Sequence, residues 1–177
     1  MDQSTLQTIG ILLTGVSLTV AATYYTLTLR SNAQARKTQI FMEIYKQISS
    51  HSFQRDWIEL LNMEWDDYDD FERKYGSDNN PENYAMRVST WMAMNGIGAL
   101  LVDGIIEPER LLKLVGTSSQ FLWLKFKPII YEQRVRYGMP NAYHYFEQLA
   151  ETLGEELVRQ NEEFKLPDTL TKYVPDP

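Results

Sequence analysis

Leu6–Leu29, LQTIGILLTGVSLTVAATYYTLTL, constrains this chain more than any other stretch, because no Asp, Glu, Lys or Arg falls between Asp2 and Arg30. These 24 residues, at roughly 1.5 Å each, make a helix of about 36 Å, enough to cross a hydrocarbon core of roughly 30 Å with some tilt. A helix is the only way for one segment to cross, since lipid offers no partner to a free backbone N–H or C=O. A cleaved leader with Val20-Ala21-Ala22 as its processing site fits poorly. Leaders open with basic residues and have a short apolar core, whereas here the opening is acidic and the apolar run passes Ala22. A buried helix of a water-soluble fold is the other alternative, and an uncharged run of this length argues against it.

Charge is lopsided across the segment. Only Asp2 precedes it, while Arg30, Arg36 and Lys37 follow it closely. The positive-inside rule therefore predicts a single-pass protein of the cell (inner) membrane, with residues 1–5 outside and the rest cytoplasmic. Tyr24 and Tyr25 stand near the inner end, where an aromatic belt belongs. The bland role of Arg30, Arg36 and Lys37 is to set orientation, and contact with anionic headgroups adds to it. Gly10, Thr14, Ser17 and Ala21 recur at helical spacing and form one stripe of small residues. Such a stripe lets two membrane helices approach closely. The expected partners are the bilayer and either a second copy or an unknown membrane protein.

The rest of the chain is one domain of ordinary size, about 148 residues. The formal net charge is −7, and removing the −1 of Asp2 leaves −6 for the part after Arg30. An acidic domain without a basic recognition motif repels nucleic acid. The chain has no cysteine, which removes disulfides, thiolate zinc sites and a cysteine nucleophile. Its only histidines are His51 and His144.

Periodicity predicts an all-α chain: the anchor continuing into a compact bundle of about five further helices over residues 30–165. Neither Gly nor Pro occurs between Gly15 and Gly76, so the first helix should run to about Ser49, with Ile40, Phe41, Ile44, Tyr45 and Ile48 as its core stripe. Ser49, Ser50 and Ser52 offer caps for a second helix, whose buried side is Phe53, Trp57, Ile58, Leu61 and Trp65. The knot Glu64, Asp66, Asp67, Asp69, Asp70, Glu72 lacks the alternating oxygens and sharp-turn glycine of a calcium loop. It reads as the charged face of a solvated helix or turn, with Trp65, Tyr68 and Phe71 turned inward. Asn80-Pro81-Glu82 starts a helix running toward Gly104. Pro108–Val115 is a short helix closed by Gly116, and Thr117, Ser118 and Ser119 cap the next, which Pro128 should kink. The last helix, capped by Asn141, buries Phe146, Leu149, Ala150, Leu153 and Leu157. Residues 166–177, with three prolines and no period, read as an extended or frayed tail.

Three stretches together resemble a known family: LRSNAQARKTQIFMEIYKQISS, GIGALLVDGIIEPERLLKLVG and FLWLKFKPIIYEQRVRYGMPNAYHYFEQLAE. They are similar to a prokaryotic family of unknown function with one N-terminal span and a small helical cytoplasmic domain. The likeness covers Arg30 to about Glu156, led by Trp123, Pro128, Ile130, Arg134, Tyr143 and Phe146. It implies the architecture and the anchor, with no activity and no catalytic residue.

Two functional readings follow from the residues. The first is a membrane-anchored interaction module, a scaffold, accessory subunit or regulator at the inner membrane face. The second is an anionic-lipid-sensing surface on residues 110–136. There Arg110, Lys113, Lys125, Lys127, Arg134 and Arg136 face the single acid Glu132, with Phe121, Trp123 and Phe126 interleaved. The competing account of that segment is that its bases neutralise the acidic knot and its aromatics form core. Catalysis is not expected: His144 and Glu147 meet at i, i+3 beside Tyr143, yet no nucleophile, metal ligand set or phosphate loop accompanies them. No cofactor, metal or catalytic residue is assigned.

Overall fold

The computed structural model describes residues 2–160 and Tyr173. Among these it is all-helical, with α1 Gln3–Ile48, α2 His51–Asn62, α3 Tyr68–Tyr75, α4 Pro81–Val102, α5 Pro108–Val115, α6 Ser118–Arg136 and α7 His144–Arg159. The chain divides into two units, Met1–Met42 and Glu43–Pro177.

The first unit is a single stretch of helix. Its threonines sit where β-branching ought to weaken a helix, but most of their hydroxyls find a partner one turn back. Thr8, Thr14, Thr19, Thr23, Thr26 and Thr28 all donate to the carbonyl four residues earlier, at 2.8–2.9 Å. From Leu6 to Leu29 the large apolar side chains are exposed, Ile11 by 69% and Leu18 by 71%.

The second unit is a bundle into which the end of α1 contributes Ile44 and Ile48. The helix starts follow their caps. Ser50 accepts from Phe53 N to begin α2, Asp67 from Asp70 N to begin α3, and Asn80 from Asn83 N to begin α4. Pro108 opens α5, and Gly116, at φ 54°, ends it. α7 packs most extensively on α4, and also on α5 and α6, while α2 rests on α4 and α6. The α4–α7 approach is closest at Gly98, where a Cβ would overlap the carbonyl of Tyr145. The core is strongly aromatic: Trp65 lies 5.1 Å from both Phe71 and Phe126, and Trp91 and Trp123 meet Phe126 and Phe146 at 5.2 Å.

Several expectations need correction. Among the described residues six helices follow α1, against about five expected, and the acidic knot supplies one of them. Asp67 caps α3 and Asp70 is buried within it, accepting from Asp66 N and pairing with Arg73 and Lys74. Ile58 is 58% exposed instead of core, since Trp57 and Leu60 already fill the buried side of α2. Asn141 does not cap α7. Residues 140–143 make a further turn, and Tyr143, left-handed at φ 55°, takes the capping position. α6 runs through Pro128 without ending. The tail expected to be extended lies outside the described residues apart from Tyr173, which is buried.

Candidate functional site

Gly10, Thr14, Ser17 and Ala21 are all exposed on the first unit and fall on one side of its helix by their spacing. A Cβ at Gly10 would meet nothing within 4 Å. Arg30 and Arg36 follow as exposed bases and Lys37 as a half-buried one. By length and composition α1 is a helix able to cross a membrane.

The six bases of residues 110–136 do not share one surface. Arg110 pairs with Glu107 at 3.1 Å and Lys113 with Glu109 at 2.6 Å, both within α5 and its cap. Arg136 binds Glu132 and, across the bundle, Asp69 of α3, each at 2.7 Å, and lies 4.3 Å over the Tyr68 ring. Lys127 lies 5.3 Å from the Tyr131 ring centre. Lys125 corrects the expectation of a surface position: it is 1% exposed. Its ammonium donates to the carbonyls of Leu61 and, at 2.6 Å, Met63, satisfying the end of α2 that has no helical partners of its own. Of the interleaved aromatics, Trp123 and Phe126 are core and Phe121 is half-buried.

Arg134 belongs to a polar cluster that joins α6 to α7. Its guanidinium donates to Ala142 O and to Glu147, both at 2.9 Å, and Tyr131 donates its hydroxyl to the same carboxylate. Burial, with Glu147 adding to it, pushes the Tyr131 phenol up to about 12. At Glu147 burial works to raise the pKa, but the hydrogen bonds from Tyr131 and Arg134 outweigh it and hold the carboxyl below its ordinary value. His144 Nδ1 stands 3.9 Å from Glu147. The carboxylate is thus occupied by two donors and the phenol holds its proton, an arrangement that ties two helices together.

Two further buried cations escaped sequence reading or were placed on the wrong surface by it. Arg87 is 0% exposed, with its guanidinium carbon 4.5, 4.8 and 5.1 Å from the ring centres of Phe71, Trp91 and Tyr84. Its guanidinium donates to Tyr75 O at 3.3 Å, and burial pulls its pKa down. Lys125 had a readable signal: it stands three residues after Leu122 and four before Ile129, inside the apolar stripe of α6. A cavity of about 120 Å³ lies between apolar side chains, Trp57, Met94 and Val115 among them, and the polar Gln54 and Ser118, and no charged side chain lines it. Among the described residues no three His, Cys, Asp or Glu gather as metal ligands.

The model of a domain of unknown function, DUF4760, matches residues 11–153. The chain belongs to that family. The match takes in most of α1, all of α2 to α6 and the first part of α7, so the DUF4760 region includes both the apolar helix and the bundle. No curated protein and no solved structure matches the chain.

Proposed function

We propose that this member of DUF4760 is a membrane-anchored helical interaction module, a scaffold, accessory subunit or regulator whose bundle sits at the inner face of the cell membrane. The observation that carries the proposal is the first unit: a helix with its apolar side chains turned outward and its threonine hydroxyls bonded to its own backbone. In water that surface is unfavourable by about 25 cal/mol for each Å². In lipid it is at home, and a hydroxyl already bonded to a carbonyl brings no unpaired polar group with it. Arg30, Arg36 and Lys37 at one end and Asp2 at the other orient the helix with its N-terminus outside. Association with a second copy or another membrane protein along Gly10, Thr14, Ser17 and Ala21 belongs to the same reading. Catalysis forms no part of it. Of the bases of residues 110–136, Lys125 and Arg134 are engaged within the bundle, while Arg110, Lys113 and Arg136 form ion pairs at its surface, and the reading rests on the anchor and not on that segment.

Alkaline carbonate extraction of membranes from cells making the full chain tests the anchor. The protein is expected in the pellet, with the bundle cleaved by protease in inverted vesicles and protected in intact cells. Recovery in the supernatant overturns the reading. Crosslinking in membranes tests the stripe: Gly10→Leu with Ser17→Leu should lower the yield of crosslinked species, and an unchanged yield removes the stripe from the proposal.

A further inference from the structure

Tyr173 is 7% exposed although it lies beyond α7. It packs where the end of α2 meets α6, against Met63 and Trp65, more than a hundred residues back in sequence, and against Lys125. Its ring centre is 4.4 Å from that of Trp65, its hydroxyl donates to Met63 O at 3.4 Å, and the Lys125 ammonium lies 5.1 Å from its ring centre.

What makes this more than a core contact is that the walls stand without it. Trp65 is fixed by stacking on Phe126 and by the edge of Phe71. Lys125 is fixed by the Leu61 and Met63 carbonyls, and lies 5.3 Å from the Trp65 ring centre. Met63 O is fixed in turn by Lys125. None of these contacts uses Tyr173, so the slot is organised before the tyrosine enters it, and little ordering is left for the incoming group to meet. The chemistry of the slot matches a phenol at each point. The indole offers an aromatic wall, the ammonium favours the negative face of a ring, and the carbonyl accepts from a hydroxyl.

We propose that Trp65, Lys125 and the Met63 carbonyl form a recognition slot for a tyrosine carried on a peptide segment, filled here by the chain's own Tyr173. Its partner class is a tyrosine-bearing peptide that supplies the same ring and hydroxyl in trans. The inference stands without the membrane reading, because every residue of the slot lies in the second unit.

The test uses the full-length protein in detergent and a labelled peptide, TLTKYVPDP, identical to residues 169–177. Y173A, with its slot vacated, should bind the peptide saturably. Wild type should bind it about tenfold more weakly or worse, because its own tyrosine competes at high effective concentration. A peptide carrying Tyr173→Ala should not bind Y173A. Failure of Y173A to bind TLTKYVPDP, equal binding by wild type and Y173A, or equal binding of the two peptides would each overturn the slot. If Y173A does not fold cooperatively, Y173F serves instead. It keeps the ring and loses the bond to Met63 O, so it must bind the peptide more tightly than wild type does, and the opposite result overturns the proposal.

Discussion

The two units of this chain answer the same physical question in opposite ways. In residues 6–29 the large apolar side chains face out and threonine hydroxyls fold back onto the helix. In the bundle the apolar side chains face in, and two cations, Arg87 and Lys125, are drawn in with them. Arg87 is surrounded by three aromatic rings and Lys125 by two backbone carbonyls and aromatic faces. The contrast teaches that an aromatic, carbonyl-lined interior tolerates a cation where hydrocarbon does not, because each donor there finds an oxygen or a π-face.

The comparison breaks most visibly if arginines are placed on the two exteriors. Leu12 and Val16 are 63% and 62% exposed, one helical turn apart. On a water-facing surface such substitutions are nearly silent, within about 0.5 kcal/mol. In a bilayer each costs roughly 2.5–3.5 kcal/mol. Leu12→Arg with Val16→Arg should therefore move the protein out of the carbonate-resistant membrane fraction while leaving the thermal unfolding of the bundle where it was. Retention in the pellet at the wild-type level would remove the distinction between the two exteriors.

A second contrast lies inside α4, where two glycines two residues apart should respond with opposite signs. At Gly98 a Cβ overlaps the Tyr145 carbonyl, so Gly98→Ala forces α4 from α7 and should destabilise by about 1–3 kcal/mol. At Gly96 a Cβ meets nothing within 4 Å. Gly96→Ala should stabilise, by up to about 1 kcal/mol, through helix propensity alone. Denaturant unfolding of the two variants in detergent checks both signs.

How much of this was legible depended on whether the deciding contact was local. The apolar helix, the Asn80-Pro81 start and the α7 stripe of Phe146, Leu149, Leu153 and Leu157 are written within a few turns of themselves, and they were readable. α3 was readable only as a helix or turn, because Asp67 as cap and Asp70 as buried acceptor look in sequence like two more charges in a run. Asn141 looked a better cap than Tyr143, whose left-handed backbone accompanies ring contact with Trp91, 52 positions away by number, at 5.2 Å. The basic segment gave a net charge but no geometry. Its ion pairs reach Asp69 and Glu147 on other helices, and Lys125 turns to a carbonyl 62 residues back. Trp65 and Tyr173 meet only through the tertiary fold.

Acid should loosen the bundle before it affects the apolar helix, because the carboxylates that are ion-paired and held low, Asp70 and Glu147, lie in the bundle. Asp70 is held down by Lys74 first and also by Asp66 N and Arg73. At Glu147 the Tyr131 and Arg134 bonds prevail over burial. A carboxyl lowered in the folded state contributes stability that is present above its unfolded value and lost as pH falls through the folded one. The melting temperature in detergent should therefore hold through neutral pH and drop below about pH 4. Glu147→Gln should shallow that drop, and a melting temperature independent of pH down to 2 would show that these pairs do not contribute.

The smallest effect is the one that most sharpens the contrast. Ile58 is as exposed on α2 as the leucines are on α1, at 58% against 63% for Leu12. Exposure alone therefore does not separate the units; continuity does. Ile58 is a lone apolar side chain among Arg55, Asp56 and Glu59, as scattered surface residues of water-facing domains are, whereas Leu12 lies in an uncharged run of 24 residues. Ile58→Arg should thus change stability by no more than about 0.5 kcal/mol and leave membrane retention untouched. If it instead lowers stability by several times that, or releases the protein from the membrane fraction, then the exposed side of α2 is covered in the native state, and the bundle shares with the apolar helix a surface that does not face water.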